Sequence, residues 1–249
     1  MNGETMSFAL GVLQLEEALK EPGCPVCRLG HQAAVRSINA FFWESVNDPG
    51  IRKRIIASYG FCSDHAALIF EPEILNSAPI LGINIIYEQL VQAVCKQLRA
   101  LQRRKKTIMK FKRWFHWVRS ELGVSLPARI LPATGICPVC ELVNQVSLNA
   151  LATLFIEIEN QTNNIFGIYQ ASSGLCFSHL RLALEQYGKK YSLAAQAVLE
   201  DTITRLNQQQ GLMGEFIRKS NWEYHIEELT SEEGRAWKKA LAFFTGIER

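Results

Sequence analysis

The 249-residue sequence has no apolar run long enough to span a bilayer, the longest, such as Ile80 to Tyr87, being short and interrupted. Its first residues lack the basic start and extended apolar stretch of a signal peptide. Glu4, Glu16, Glu17 and Glu21 stand where basic or apolar residues would be expected. These absences predict a soluble, cytoplasmic protein with no transmembrane segment. No segment alternates apolar and polar residues with the strand period, which points to an all-α fold. There is no Gly-rich phosphate loop, no nucleophile elbow and no carboxylate pair at a recognisable spacing, so the expectation is a protein that is not an enzyme. Acids are missing from one stretch altogether. Residues 96–119 hold ten Lys or Arg, leaving 17 basic residues against 24 acidic elsewhere, so this segment carries all of the net +3.

What is present is ordinary in bulk and unusual in pattern. With 48% hydrophobic and 20% charged residues, the chain can bury a core without covalent staples. Yet six of its seven cysteines and two of its five histidines form a duplicated motif. Cys24-Pro25-Val26-Cys27 is answered by Gly60-Phe61-Cys62-Ser63-Asp64-His65. Cys137-Pro138-Val139-Cys140 is answered by Gly174-Leu175-Cys176-Phe177-Ser178-His179. Cys27 to Cys62 spans 35 positions and Cys140 to Cys176 spans 36. In a reducing compartment such pairs are metal ligands or redox sites ahead of disulfides, and an odd cysteine count fits poorly with complete pairing.

A Cys-x-x-Cys knuckle converges two thiolates on one ion. Cys and His three apart on a first helical turn share a face and can point at the same ion. Three thiolates and an imidazole make a tetrahedral set suited to zinc, ahead of iron or an iron–sulfur cluster. The predicted ligands are Cys24, Cys27, Cys62, His65, Cys137, Cys140, Cys176 and His179, for two zinc ions. About 35 residues is one helical hairpin, which could join knuckle and helix start within a copy. Cys24 and Cys27 could in principle meet Cys176 and His179 across the repeat instead. Thioredoxin-type chemistry expects a βαβ setting that is absent. Haem attachment expects histidine where Arg28 and Glu141 stand.

Three thiolates on a divalent ion leave a charge of −1. Arg28, Arg52, Lys53 and Arg54 are candidate counter-charges in the first copy, and Arg181 in the second. The glycine before each Cys-x-x-His suits a tight backbone approach. Asp64 and Ser178 are candidates to hydrogen-bond the ligands. Cys95 reads as a small buried apolar residue, His31 as a surface or supporting residue, and His225 as structural or exposed.

Helical periodicity covers most of the chain. It predicts a helix over 6–20, another from Pro25 to Val46, and a third capped by Asp48 with Pro49 at its first position. A short helix opens at Cys62. A long one carries Tyr87, Leu90, Val94, Leu98 and Leu101 on a seam that fails at Arg103 to Lys106 and ends at Gly123. In the second copy Pro138 to Ile158 is helical with Leu142, Val146, Leu151, Leu154 and Phe155 inward. Ile165 to Tyr169 is short, and Tyr191 to Leu206 is helical. Thr230 and Glu233 form a capping box for a last helix carrying Trp237, Leu241 and Phe244, closed at Gly246. The expected organisation is a first repeat over 1–123, a Pro-containing linker over 124–135 and a second repeat over 136–249. Each repeat holds a Cys3His set, and the two pack through their long helices.

The basic segment offers a second functional reading. Arg103, Arg104, Lys105, Lys106, Lys110, Lys112 and Arg113, interleaved with Phe111 and Trp114, suit nucleic acid or an anionic membrane surface. The plainer reading is a solvated helix face. Together the duplicated CPxC and GFCxxH motifs and the tryptophan-bearing last helix resemble a family of uncharacterised prokaryotic proteins, a domain of unknown function. The resemblance implies a helical, metal-stapled fold and supplies no reaction. The sequence therefore predicts a zinc-stabilised binding or adaptor protein of unknown partner, with a thiol-based redox or metal sensor as the alternative.

Overall fold

The structure, a computed structural model, describes residues 3–71, 74, 80–114, 133–224 and 226–246, without the side chains of residues 3–8 and 104–114. Among the described residues are ten α-helices and no strand, as the periodicity required. They are α1 (Gly3–Lys20), α2 (Pro25–Trp43), α3 (Pro49–Ala57), α4 (Ser63–Ile69), α5 (Ile80–Trp114), α6 (Pro138–Asn160), α7 (Ile165–Ala171), α8 (Phe177–Tyr187), α9 (Ser192–Lys219) and α10 (Ser231–Thr245), with a 3-10 turn at Trp222–Tyr224.

Local chemistry sets the boundaries. The Asp48 carboxylate accepts from Gly50 N at 2.7 Å and Ile51 N at 3.2 Å, satisfying free amides of α3 behind Pro49. At α10 the Thr230 hydroxyl accepts from Glu233 N at 3.2 Å, while Glu233 accepts from Thr230 N at 2.9 Å. Lys219, on the last turn of α9, donates to both Glu233 oxygens at 2.8 and 3.0 Å, tying α9 to α10. Two elements outrun the periodicity. Helix α5 is unbroken through Arg103–Lys106, because its Leu, Gln, Arg and Lys residues are good helix formers and need no buried face to continue. Helix α9 continues past Leu206 to Lys219. The expected stop at Gly123 and most of the linker lie outside the described residues.

The chain divides into two compact units. One comprises residues 1–33 and 143–249, the other residues 34–142. The division therefore does not fall at the 124–135 linker. It falls within α2 and α6, because a helix need not end where one set of buried contacts gives way to another.

The first unit has the larger described core. Leu15 and Leu19 of α1, Leu151, Leu154 and Phe155 of α6, Ile165 and Tyr169 of α7, and Ala194 and Val198 of α9 are buried together. By length and composition α6 could cross a membrane. Here its apolar residues supply this core, which accounts for their number. Leu142, expected inward, is exposed.

In the second unit Ile38, Phe42, Ile55, Phe61, Ile86 and Leu90 are buried, with the Phe61 ring 5.6 Å from Phe41 and 6.0 Å from Phe42. Helix α5 packs on α3. Its seam is fully buried only at Leu90: Tyr87, Val94 and Leu101 are half-buried and Leu98 is exposed. Cys95 is exposed too, contrary to the expectation of burial, because the helix has by then run past its cover.

Candidate metal centres

Each compact unit contains one group of three cysteines and a histidine, and each group draws its two halves from different repeats. Cys24 and Cys27 meet Cys176 and His179; Cys137 and Cys140 meet Cys62 and His65. The expectation that each repeat holds its own set is thereby corrected: the chain adopts the exchanged pairing. Helix lengths give the reason. Within the first copy, α2 has 19 residues and α3 only 9, about 28 Å against about 13 Å. Within the second, α6 has 23 and α7 only 7, about 34 Å against about 10 Å. Hairpins with such unequal arms do not bring Cys62 back to Cys27, or Cys176 back to Cys140.

Both groups are built alike. Cys24 and Cys137 precede the prolines that open α2 and α6, and their carbonyls accept the first helical bonds from Arg28 N and Glu141 N, each at 3.1 Å. Cys62 and Cys176 are the N-caps of α4 and α8, which places His65 and His179 one turn along on the same face. Gly60 and Gly174 hold φ of +94° and +76°, the left-handed turn that glycine adopts at no steric cost. The lead-ins are tied in parallel ways. Gly23 N donates to the Ser173 hydroxyl at 2.9 Å, and Thr134 N and Gly135 N donate to Ala57 O at 2.9 and 3.0 Å.

The ligand atoms of each group lie within 4.8 Å of one another. In the first group His179 Nδ1 is 3.5, 3.3 and 3.2 Å from the sulfurs of Cys24, Cys27 and Cys176, with Cys27 Sγ to Cys176 Sγ at 3.7 Å. In the second, His65 Nδ1 is 3.2, 3.8 and 3.3 Å from those of Cys62, Cys137 and Cys140, with Cys62 Sγ to Cys140 Sγ at 3.5 Å. The sulfurs are far beyond the roughly 2.05 Å of a disulfide, and all seven cysteines are free. Each group can hold a metal ion. The eight residues predicted as ligands are thus brought together, four and four.

Their electrostatics differ. Burial pulls His179 down, but hydrogen bonding and attraction from Cys176 and Cys24 prevail and push it up to about 9. Burial lowers His65, and Asp64 offsets this only in part. Hydrogen bonding to Cys176 and Cys24 raises Cys27, while the same contacts lower Cys176. Burial and Cys62 push Cys140 up to about 12. Burial acts to raise Cys137, yet backbone amides of Cys62, Cys140 and Val139 outweigh it and bring the thiol below its ordinary value. These amides perform part of the charge compensation expected of cations.

Four of the five candidate cations are engaged elsewhere, and the fifth, Lys53, is exposed. Arg28 donates to Pro22 O and Arg52 to Val46 O. Arg54 pairs with exposed Glu141 at 2.7 Å and Arg181 with Glu185 at 3.4 Å. Asp64 accepts from the Ser63 hydroxyl at 3.3 Å, and Ser178 and His31 are exposed. His225 lies outside the described residues. Arg103 is exposed on α5; Arg104, Lys105, Lys106, Lys110, Lys112 and Arg113 follow on its backbone, their side chains outside the description.

Two supports were not foreseen from the sequence. Arg205 donates to the carbonyls of Ser172, Gln170 and Tyr169 at 2.6, 2.8 and 3.1 Å, and to Asp201 at 2.6 Å. It thereby satisfies the Gln170 and Ser172 carbonyls at the end of α7, on the approach to Cys176, and adds a bond to Tyr169 O, which already accepts from Ser172 N at 3.1 Å and Ser172 Oγ at 2.6 Å. The Asp201–Arg205 spacing of four was its signal. Gly246, the left-handed C-cap of α10, lies over the first group: a Cβ there would stand 2.7 Å from Cys27 Sγ. Its signal was a closing glycine, which says nothing of what the helix end covers.

No solved structure matches the chain. Among curated proteins, an uncharacterized 23.9 kDa protein in the xynA 3' region of Caldicellulosiruptor sp. (strain Rt8B.4) is 27% identical over 240 residues, covering 93% of this chain and 99% of that protein. Residues 6–240 match a family of unknown function, DUF6062, and the chain belongs to that family.

Proposed function

We propose that this protein is a helical binding or adaptor protein whose two units are each stapled by a zinc ion. The observation that carries the reading is the spacing of the ligand atoms. A tetrahedral zinc with Zn–S of about 2.3 Å and Zn–N of about 2.0 Å has edges near 3.8 Å between sulfurs and 3.5 Å from sulfur to nitrogen. Eight of the twelve ligand-atom pairs, at 3.2–3.8 Å, fit that figure, and the rest lie within 4.8 Å. Four protein ligands close the coordination sphere and leave no position for water or substrate, so the ions serve the fold. Elemental analysis and an absorption spectrum, on protein purified without added metal or chelator, test this. Two zinc per chain and a colourless solution are expected. Iron with visible absorption, or no metal, would overturn it.

A second reading, a thiol-based redox sensor, draws on the second group alone. There only Cys137 is buried, and Cys62 Sγ lies 3.5 Å from Cys140 Sγ. Peroxide would take two electrons from these two thiolates, forming the S–S bond and leaving as two waters after taking up two protons, with release of the ion. Zinc release under peroxide, followed by mapping of the alkylated thiols, tests it. Release from the Cys62 group ahead of the Cys24 group supports the sensor; equal release from both removes it.

A further inference from the structure

Beside the Cys24 group lies a cavity of about 600 Å³, a volume typical of small-molecule sites. It is bounded by the end of α1, the segment into Cys24, the end of α7 with its following loop, the middle of α9 and the end of α10. Much of the wall is apolar, from Leu19, Ile168, Leu206, Ala240 and Phe243. Gln209 of α9 also lines it, and its Oε1 is buried without a hydrogen-bond partner. A buried acceptor left unsatisfied calls for a donor, and a donor bound in the cavity reaches it once the Gln209 amide turns towards the lining. Lys20 and Lys239 stand on the lining as exposed cations, against Glu21 as its acid. Arg205, also on the lining, is already engaged by Asp201 and the α7 carbonyls.

We propose that this cavity binds an amphipathic organic acid. Its apolar body lies against Leu19, Ile168, Leu206 and Phe243, its carboxylate faces Lys20 and Lys239, and an N–H or O–H donates to Gln209 Oε1. An N-acyl amino acid carries all three features in one molecule. Cys24 and Cys176 also lie on the lining, but the contacts proposed use neither, so the proposal does not depend on the identity of the ions.

The test is calorimetric titration of the full-length protein, as purified, with N-decanoylglycine, and with decanol as the uncharged comparison. Saturable one-to-one binding is expected, about tenfold tighter than decanol. Lys20→Glu with Lys239→Glu should weaken it about tenfold, and Gln209→Leu several-fold. Ala240→Trp, which fills the cavity from a half-buried position on α10, should abolish it with helical content and metal content retained. Absence of saturable binding to the wild type overturns the proposal. So does unchanged binding by a folded Ala240→Trp protein, which would place the ligand elsewhere. Equal binding of decanol, indifferent to the lysine and Gln209 substitutions, overturns the ligand class. Should Ala240→Trp unfold the chain, the lysine and Gln209 variants decide the question.

Discussion

The two Cys3His groups share ligand types, spacing, proline and glycine placement and capping geometry, yet their settings differ. The Cys24 group belongs to the core of its unit: Cys24 and Cys176 are buried with Leu175 and Leu180, Cys27 packs against them, and the end of α10 covers the sulfurs. The Cys62 group has one buried cysteine, and its described surroundings include an exposed ion pair, Arg54–Glu141, of the kind that adds little stability. Ligand identity decides what is bound. Cover decides how readily it is lost and how much of the fold depends on it.

The largest effect should separate the two directly. Cys176→Ser should remove one metal equivalent and lower the Tm by more than about 10 °C, since metal-binding free energy is folding free energy. Cys62→Ser should remove one equivalent at roughly half that cost in Tm, its group being less embedded. Elemental analysis with scanning calorimetry reads both, and equal losses of Tm would erase the distinction.

A smaller effect tests what supports only the first group. Arg205→Ala leaves the Gln170 and Ser172 carbonyls at the end of α7 without their donor, Tyr169 O keeping its bonds from Ser172, and should cost about 2 kcal/mol in denaturant unfolding. It should also speed chelator-driven metal loss from the Cys24 group and leave the other unaffected. Smaller still is Gly246→Ala. The left-handed φ of +75° alone costs about 1 kcal/mol in a non-glycine residue, and the added Cβ presses on Cys27. Faster metal loss from the Cys24 group at nearly unchanged helical content is expected; no change in that rate would show the helix end to be no cover.

The finest contrast is in protons. Without metal, His179 is held up to about 9 by its thiol neighbours, and His65 is held below its ordinary 6.5. At pH 7.5 an ion must therefore displace a proton from His179 and none from His65. Zinc titrations of Cys62→Ser and Cys176→Ser in buffers of different ionisation enthalpy should show the larger proton release at the Cys24 group. The sign carries over to the metal-free chain. The raised value of His179 contributes stability that is complete below 6.5 and is lost as pH rises through about 9.

The helices and the eight ligands were legible in the sequence for the same reason: both rest on short-range spacing. The Asp48 cap, the Thr230–Glu233 box and the Cys-x-x-His turns are all decided within one helical turn. Which knuckle meets which histidine is decided by the relative lengths of α2, α3, α6 and α7, and a small error in a helix boundary is enough to obscure that. Cys95 shows the complementary failure. Its neighbours Val91 and Val94 suggest burial, but a seam is buried only where something covers it, and α5 extends beyond its cover. Arg205 and Gly246 act on residues far away in the chain, so their local patterns revealed a salt-bridge spacing and a helix stop and nothing of their targets.

The exchange of half-sites also imposes an order in time. Cys27 and Cys176 are 149 residues apart, and the whole second group lies between them in the chain. At roughly 5–20 residues per second, synthesis leaves the first knuckle waiting on the order of ten to thirty seconds for its histidine. Over that interval the Cys62 group can close as soon as Cys140 emerges, while Cys24 and Cys27 remain an open pair of thiols. The better covered of the two centres is therefore the one the nascent chain completes last, and the early knuckle is the point at which a wrong metal or a wrong thiol partner can enter.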